Sequence, residues 1–206
     1  MNSVQTHIDK ILNHYSQDEY SSDMKKALDI YIAKTGQMNE ESEWYESRMN
    51  SFNDWFVFNY RRDDGTRIID QYVIDEGIDD DLAKSFHNLN YSLFLFQKTN
   101  FRKQIVIRDI LHNKKIILDK DNDNIGLLED DLFVGRVIEL NGSHYLLNGL
   151  CILPREVYSA LKKEAKKIRK QNNEVKEQDF LLELENLKTK SLNYSHITSD
   201  KIFTFG

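Results

Sequence analysis

Leu132-Phe133-Val134-Gly135-Arg136-Val137-Ile138-Glu139-Leu140 runs into Asn141-Gly142 and then into Ser143-His144-Tyr145-Leu146-Leu147-Asn148-Gly149-Leu150. The first segment is rich in β-branched and aromatic residues, which fit a pleated surface. Asn-Gly is the pair that a two-residue hairpin turn selects, because both central residues must take φ > 0. Together they predict two antiparallel strands, 132–140 and 143–150. Upstream, Tyr91–Phe96, Gln104–Asp109 and Lys115–Leu118 are short apolar or β-branched runs at close spacing. Residues 91–153 therefore predict a small antiparallel sheet, or a sheet curled into a barrel.

On either side the period changes from two to 3.6. Val4, Ile8, Ile11, Leu12 and Tyr15 share one face of a first helix, with Ser3 placed to cap it. Ser16-Gln17-Asp18-Glu19 has the form of a capping box for a second helix carrying Tyr20, Met24, Ala27, Leu28 and Tyr31, with Gly36 as its stop. Asn39 followed by Glu40 and Glu41 predicts the start of a third helix over 40–61, with Tyr45, Met49, Phe52 and Phe56 along one side. Thr66 and Asp79 are placed to cap two short helices before residue 90. After the sheet, Pro154 suits the first turn of a helix striped with Val157, Leu161, Ala165 and Ile168. Phe180, Leu181, Leu184 and Leu187 mark a last helix. The fold class expected is α+β: a helical domain over 1–90, a small β domain over 91–153, a helical hairpin over 154–192 and a tail over 193–206. The hairpin's apolar stripe needs a partner, and the sheet is the nearest one.

Ser51-Phe52-Asn53-Asp54-Trp55-Phe56-Val57-Phe58-Asn59-Tyr60-Arg61 is the densest aromatic run, and Asp63-Asp64-Gly65-Thr66 after it is a turn. This segment resembles one in uncharacterised bacterial proteins that often carry a SEC-C zinc motif, where a DWF-x-F-x-Y helix precedes a DG-x-T turn. Ile107–Leu111, Asp131–Val137 and Leu147-Asn148-Gly149 are similar to the later stretches of those proteins, so the resemblance covers about residues 50–155. It implies architecture and no established activity. A SEC-C motif needs several cysteines, and Cys151 is the only one here. The zinc site, and any partner it would engage, are therefore expected to be missing.

Composition narrows the function classes. The chain has 206 residues, 40% hydrophobic, with a net charge of -6. It is long enough to bury a core, and its negative balance argues against general nucleic-acid binding while leaving room for a local basic patch. A single cysteine forbids an intrachain disulfide. With no basic, apolar leader after Met1 and no apolar run of membrane-spanning length, a cytoplasmic protein off the membrane is expected.

No nucleophile elbow, phosphate-binding glycine loop or paired metal motif is legible, so no catalytic residue, metal or cofactor is assigned. Asp119-Lys120-Asp121-Asn122-Asp123-Asn124 opens like a calcium loop, but Asn124 stands where the loop needs Gly and Asp130 where it needs a bidentate Glu. A solvated inter-strand loop is expected. Two readings of function follow. The first is a non-catalytic protein-interaction module, an adaptor or regulator, with Phe58, Phe203 and Phe205 at the partner surface. Ile202–Phe205 alternates like a short strand that could join a sheet edge. The second is an RNA- or single-strand-binding protein. Lys162, Lys163, Lys166, Lys167 and Lys170 fall on one side of the 154–170 helix, opposite its apolar stripe, beside a small barrel. Pairing of those lysines with Glu177, Asp179, Glu183 and Glu185 in an antiparallel hairpin is the bland account of the same charges. A homodimer through the last helices is compatible with either reading.

Overall fold

The structure, a computed structural model, describes residues 3–17, 20–122 and 126–205. The Asn141-Gly142 hairpin is present, with φ of 53° and 77° at its two central residues. It joins β4 (Leu132–Leu140) to β5 (Ser143–Leu146). β1 (Asn90–Thr99) lies against the other edge of β4, followed outward by β2 (Ile105–Asp109) and β3 (Lys114–Ile117), all antiparallel. The return strand ends earlier than its sequence predicts. Leu150 N–H closes a tight turn on the carbonyl of Asn148, and the chain re-enters the sheet as β6 (Cys151–Leu153). β5 and β6 thus divide one edge of β4, pairing with Val137–Leu140 and Leu132–Val134 respectively.

The sheet curls until its ends meet. Leu118, just past β3, bridges His144 of β5, and Asp119 N–H donates to the His144 carbonyl at 2.8 Å. The result is a half-barrel filled by Phe94, Phe96, Ile107, Leu118, Phe133, Val137 and Leu146. Phe94 and Phe133 stand directly opposite each other with ring centroids 5.5 Å apart, the contact that pins strand register. Ser143 and Asn122 tie the 119–122 segment to β5 by hydrogen bonds to Asp119 and Leu146. Asp123 and Asn124 of the calcium-like stretch lie outside the described residues, as do Asp18 and Glu19 of the expected capping box.

β4 is buried on both faces because the outer face is covered twice. Among the described residues five α-helices precede the sheet: α1 (Ser3–Tyr15), α2 (Ser21–Thr35), α3 (Tyr45–Phe58), α4 (Ile68–Asp75) and α5 (Asp80–His87). Their core, including Ile8, Tyr31, Phe52, Phe56 and Phe86, takes in Ile138 from β4. After the sheet come α6 (Tyr158–Arg169), α7 (Glu174–Asn193) and the short α8 (Ser199–Ile202). Leu161, Leu181, Leu184 and Phe203 from these helices cover Leu93 of β1 and Leu132 and Val134 of β4. The α+β class and the helical hairpin at the C-terminal end follow the sequence reading. α7 also packs along α2, so the hairpin belongs to both layers.

Three local expectations differ. α3 begins at Tyr45 because Asn39 and Ser42 accept from the backbone N–H groups of Glu41 and Trp44, and so cap turns ahead of the helix. Thr66 gives its hydroxyl to Asp64, and α4 starts instead from Arg67, whose N–H is taken by Asp70. The tail turns at 194–197 and forms only the short α8, and the 203–205 stretch that could have joined a sheet edge is in no strand. Its Phe203 is 2% exposed and Phe205 lies over Phe180 with centroids 6.0 Å apart.

Candidate functional site

The rings expected at a partner surface are taken up inside the molecule. Phe58 is 3% exposed and packs on Phe86, Phe203 is in the core under α7, and Phe205 is half-buried. The reason is that their faces coincide with the gaps between layers, which only the assembled fold defines.

The lysines meet the opposite fate. Lys162, Lys163, Lys166, Lys167 and Lys170 are all exposed, on the side of α6 away from the buried Leu161 and Ala165. Lys167 reaches Glu164 at 2.7 Å and Lys162 lies over the Tyr158 ring at 5.6 Å. Among the described residues none of the five pairs with a carboxylate of α7. Of the α7 acids, Asp179 pairs with Lys34 of α2 at 3.0 Å, Glu177 with His112, and Glu185 lies in the interior, while Glu174 and Glu183 are exposed. The ends of α6 are pinned to opposite ends of the sheet. Arg155, just before α6, grips Asp131 at 2.7 Å, and Arg169 donates to the Leu111 carbonyl at 3.2 Å. At the Asp131 end the β1–β2 turn carries Phe101, 91% exposed, with Arg102 over its ring. A lone phenylalanine set among Asn100, Arg102 and Lys103 was the sequence signal for it.

At the Leu111 end opens a cleft of about 540 Å³ between the helical layer, the half-barrel and α7. Its rim holds a clamped histidine. Asp109, with a fully buried side chain, accepts from Asn90 Nδ2 (2.9 Å), Ser92 Oγ (2.6 Å), the His112 backbone N–H (2.8 Å) and His112 Nδ1 (2.9 Å). The other ring nitrogen, Nε2, faces Glu177 at 3.1 Å. Hydrogen bonding to Asp109 raises the His112 pKa against the opposing effect of burial. Burial pushes the Asp109 carboxyl up, but the hydrogen bonds from His112, Ser92 and Asn90 hold it below its ordinary value. With a carboxylate facing each nitrogen, the ring when protonated cross-links the β2–β3 turn and α7. Ser92 faces Asp109 and not the imidazole, so the three do not form a nucleophile–base pair.

This cross-link makes a pH prediction. A raised imidazolium pKa stabilises the fold fully below about 6.5 and ceases to do so as pH rises through the folded-state value. Thermal midpoints at pH 6 and pH 9 are therefore expected to fall further apart in the native sequence than in His112→Gln. Equal intervals in the two proteins would mean that the clamp carries no charge.

Beneath the cleft is a buried polar junction. Arg136 is 1% exposed, halfway along the outer face of β4, between Val134 under the hairpin and Ile138 under the helical layer. Its Nε and Nη2 donate to Asn59 Oδ1 at 3.2 and 2.9 Å, and its guanidinium lies 3.9 Å from the Tyr91 ring centroid. Two buried carboxylates share its field. Glu185 of α7 accepts from the hydroxyls of Tyr31 and Tyr91. Asp54 of α3 accepts from Gly149 N–H at 2.9 Å. Burial pushes Asp54 up to about 6, opposed by Arg136 and by the Gly149 N–H. Burial also raises Glu185, opposed by the Tyr31 hydrogen bond and Arg136. The same burial raises the Cys151 thiol, with Glu185 adding to it, which keeps that thiol protonated and unreactive. An arginine as the one cation in a mostly apolar strand was the sequence signal for this junction. Among the described residues no group of three or more His, Cys, Asp or Glu side chains could hold a metal ion, and no helix is long and apolar enough to cross a membrane.

This chain belongs to a family of unknown function, DUF7986, whose profile matches residues 2–183. The match spans α1 to α6, the whole sheet and the first half of α7. No curated protein and no solved structure matches the chain.

Proposed function

We propose that this member of the DUF7986 family is a nucleic-acid-binding protein that takes the phosphates of a single strand on α6. The observation that carries the reading is the state of the five α6 lysines: all are exposed, and among the described residues none pairs with a carboxylate of α7. Lysines at i and i+4 stand about 5–6 Å apart on a helix surface, so Lys162, Lys166 and Lys170 form one row and Lys163 and Lys167 another. α6 has 12 residues and is about 18 Å long, enough to follow several phosphates. The exposed ring of Phe101 in the β1–β2 turn is a further surface on which an unpaired base can stack, a contact every base can make. The chain's overall negative charge is no obstacle, because the field that matters to a docking strand is local, and on α6 five lysines stand against Glu164, which Lys167 holds at 2.7 Å.

The test is fluorescence anisotropy of a labelled single-stranded RNA titrated with the intact chain at 50 and 200 mM salt. If all five lysines engage phosphates, affinity falls about 100-fold between those salts, at a slope of about 0.7 per phosphate for single strands. Reversing Lys162, Lys163, Lys166 and Lys167 to Glu abolishes binding while leaving the exposed helix folded. Binding that survives the reversal, or none at either salt, removes the reading and turns attention to protein partners.

A further inference from the structure

We propose that the cleft between the helical layer, the half-barrel and α7 is a binding site for a phosphate ester of about nucleotide size. The proposal stands on the cleft alone and not on the α6 ridge. Its volume of about 540 Å³ falls within the range of small-molecule sites, and its place at the meeting of three layers is where such sites recur.

The charges around it sort into those already satisfied and those left open. Arg67 and His87 are held by Asp70 at 2.7 and 3.0 Å. His112 is held by Asp109 and Glu177, and His144 stands 3.7 Å from Glu139. What remains is Arg61 on the helical wall and Lys114 and Lys115 on the sheet wall, all exposed. Among the described residues none of the three pairs with a carboxylate, and Arg61 gives one donor, at 3.0 Å, to the Gly65 carbonyl. Against them stand the exposed Glu174 and Glu139, so the open balance of the cleft is three cations to two carboxylates, in a chain whose net charge is -6. Cations brought together from separate walls suit a tetrahedral anion, whose several oxygens accept from diverging directions. A planar carboxylate is matched instead by the parallel fork of a single arginine, and Arg61 has part of its fork committed to Gly65. Asn88 and Gln178 add side-chain amides that make no hydrogen bond among the described residues, and these can meet hydroxyl or ring-edge groups on the organic part of the ester.

The same phosphate chemistry comes from a free mononucleotide or from the 5′-phosphate end of a strand, and the experiment separates them. Calorimetric titrations use AMP, a 5′-phosphorylated oligonucleotide and its 5′-hydroxyl twin. They are run on the native chain, on Arg61→Glu, on Lys114→Glu/Lys115→Glu and on the α6 reversal, each checked for folding by circular dichroism. Saturable AMP binding that weakens at least 10-fold in both wall variants and persists in the α6 reversal establishes the site for a free mononucleotide. A preference for the 5′-phosphorylated strand, lost in the same two variants and without AMP binding, establishes it with the strand end as ligand. No binding of AMP and no preference between the two oligonucleotides overturns it. So does binding that both wall variants keep. Because the α6 reversal is scored separately, loss of the ridge's binding does not count against the cleft.

Discussion

Arg136→Ala is expected to cost about 3–5 kcal/mol of folding stability, the range for breaking a buried charge set by removing one partner. At roughly 2–4 °C per kcal/mol for a chain of this size, the thermal midpoint falls by about 6–20 °C. The size of the loss comes from what stays behind. Asp54 and Glu185 are 4% and 6% exposed and both lie in the field of Arg136. Without the guanidinium, Asn59 Oδ1 also loses its two donors, and the Tyr91 face loses the cation 3.9 Å away. The sign of the pH dependence follows. A carboxyl raised by folding contributes stability that is complete below about 4 and is lost as pH rises through its folded value. For Asp54 that value is about 6, and removing Arg136 moves it higher. The gap between the variant and the native chain should therefore widen from pH 5 to pH 8 in urea unfolding. Adding Asp54→Asn and Glu185→Gln should recover part of the loss, since the uncompensated charges go with them. A gap of equal size at both pH values would mean that Arg136 acts by packing alone.

Gly149→Ala is the second large effect, and it needs no charge. A Cβ built on Gly149 would stand 2.4 Å from Asp54 Oδ2, 2.7 Å from the Asn50 carbonyl oxygen and 2.8 Å from Asp54 Cγ. Real side chains do not make such contacts, so the β5–β6 turn must back away from α3. That movement breaks the Gly149 N–H bond to the buried Asp54 and strains the Ser47 bond to the Leu150 carbonyl beside it. Overpacking of about 1–3 kcal/mol and a stranded buried acceptor of about 1–3 kcal/mol together give a loss of about 2–6 kcal/mol. Denaturant melts of Gly149→Ala, Asp54→Ala and the double variant separate the causes. The double variant should stay below Asp54→Ala, because the Asn50 oxygen is backbone and remains in the way. Full recovery in the double variant would place the whole effect on the carboxylate.

Both variants act where the three layers touch, and that is where the sequence is least legible. Arg136 is visible as the one cation in an apolar strand, but its acceptor Asn59 is 77 residues away and its Glu185 neighbour later still. The cleft has no signature either. Arg61, His87, Lys115 and Glu174 meet through the docking of separate elements, and no spacing encodes that. The α6 ridge is the reverse case. Five lysines within nine positions share a face because a helix has 3.6 residues per turn, and nothing beyond α6 is needed to see it. Phe203 shows the limit of the same reasoning. A phenylalanine near a chain end reads equally as a frayed or a docked residue until α7 supplies the surface that buries it.

The sequence by itself determined the elements that depend on neighbours along the chain. The Asn141-Gly142 hairpin follows from two residues that accept positive φ, and the amphipathic helices follow from their apolar period. The α+β class follows from that order of helices, strands and helices. Only the tertiary structure decided that the return strand stops at Leu146, since Gly149 is claimed by Asp54 across the layer boundary. It alone decided that β4 is covered on its outer face by both helical groups, that the sheet curls until Leu118 meets His144, and that Asp179 and Glu177 of α7 pair with Lys34 and His112 and not with the lysines of α6. The physical reason is range: dihedral preference and periodicity act within a few residues, whereas burial and charge pairing act between whichever groups the packed layers bring within a few ångströms.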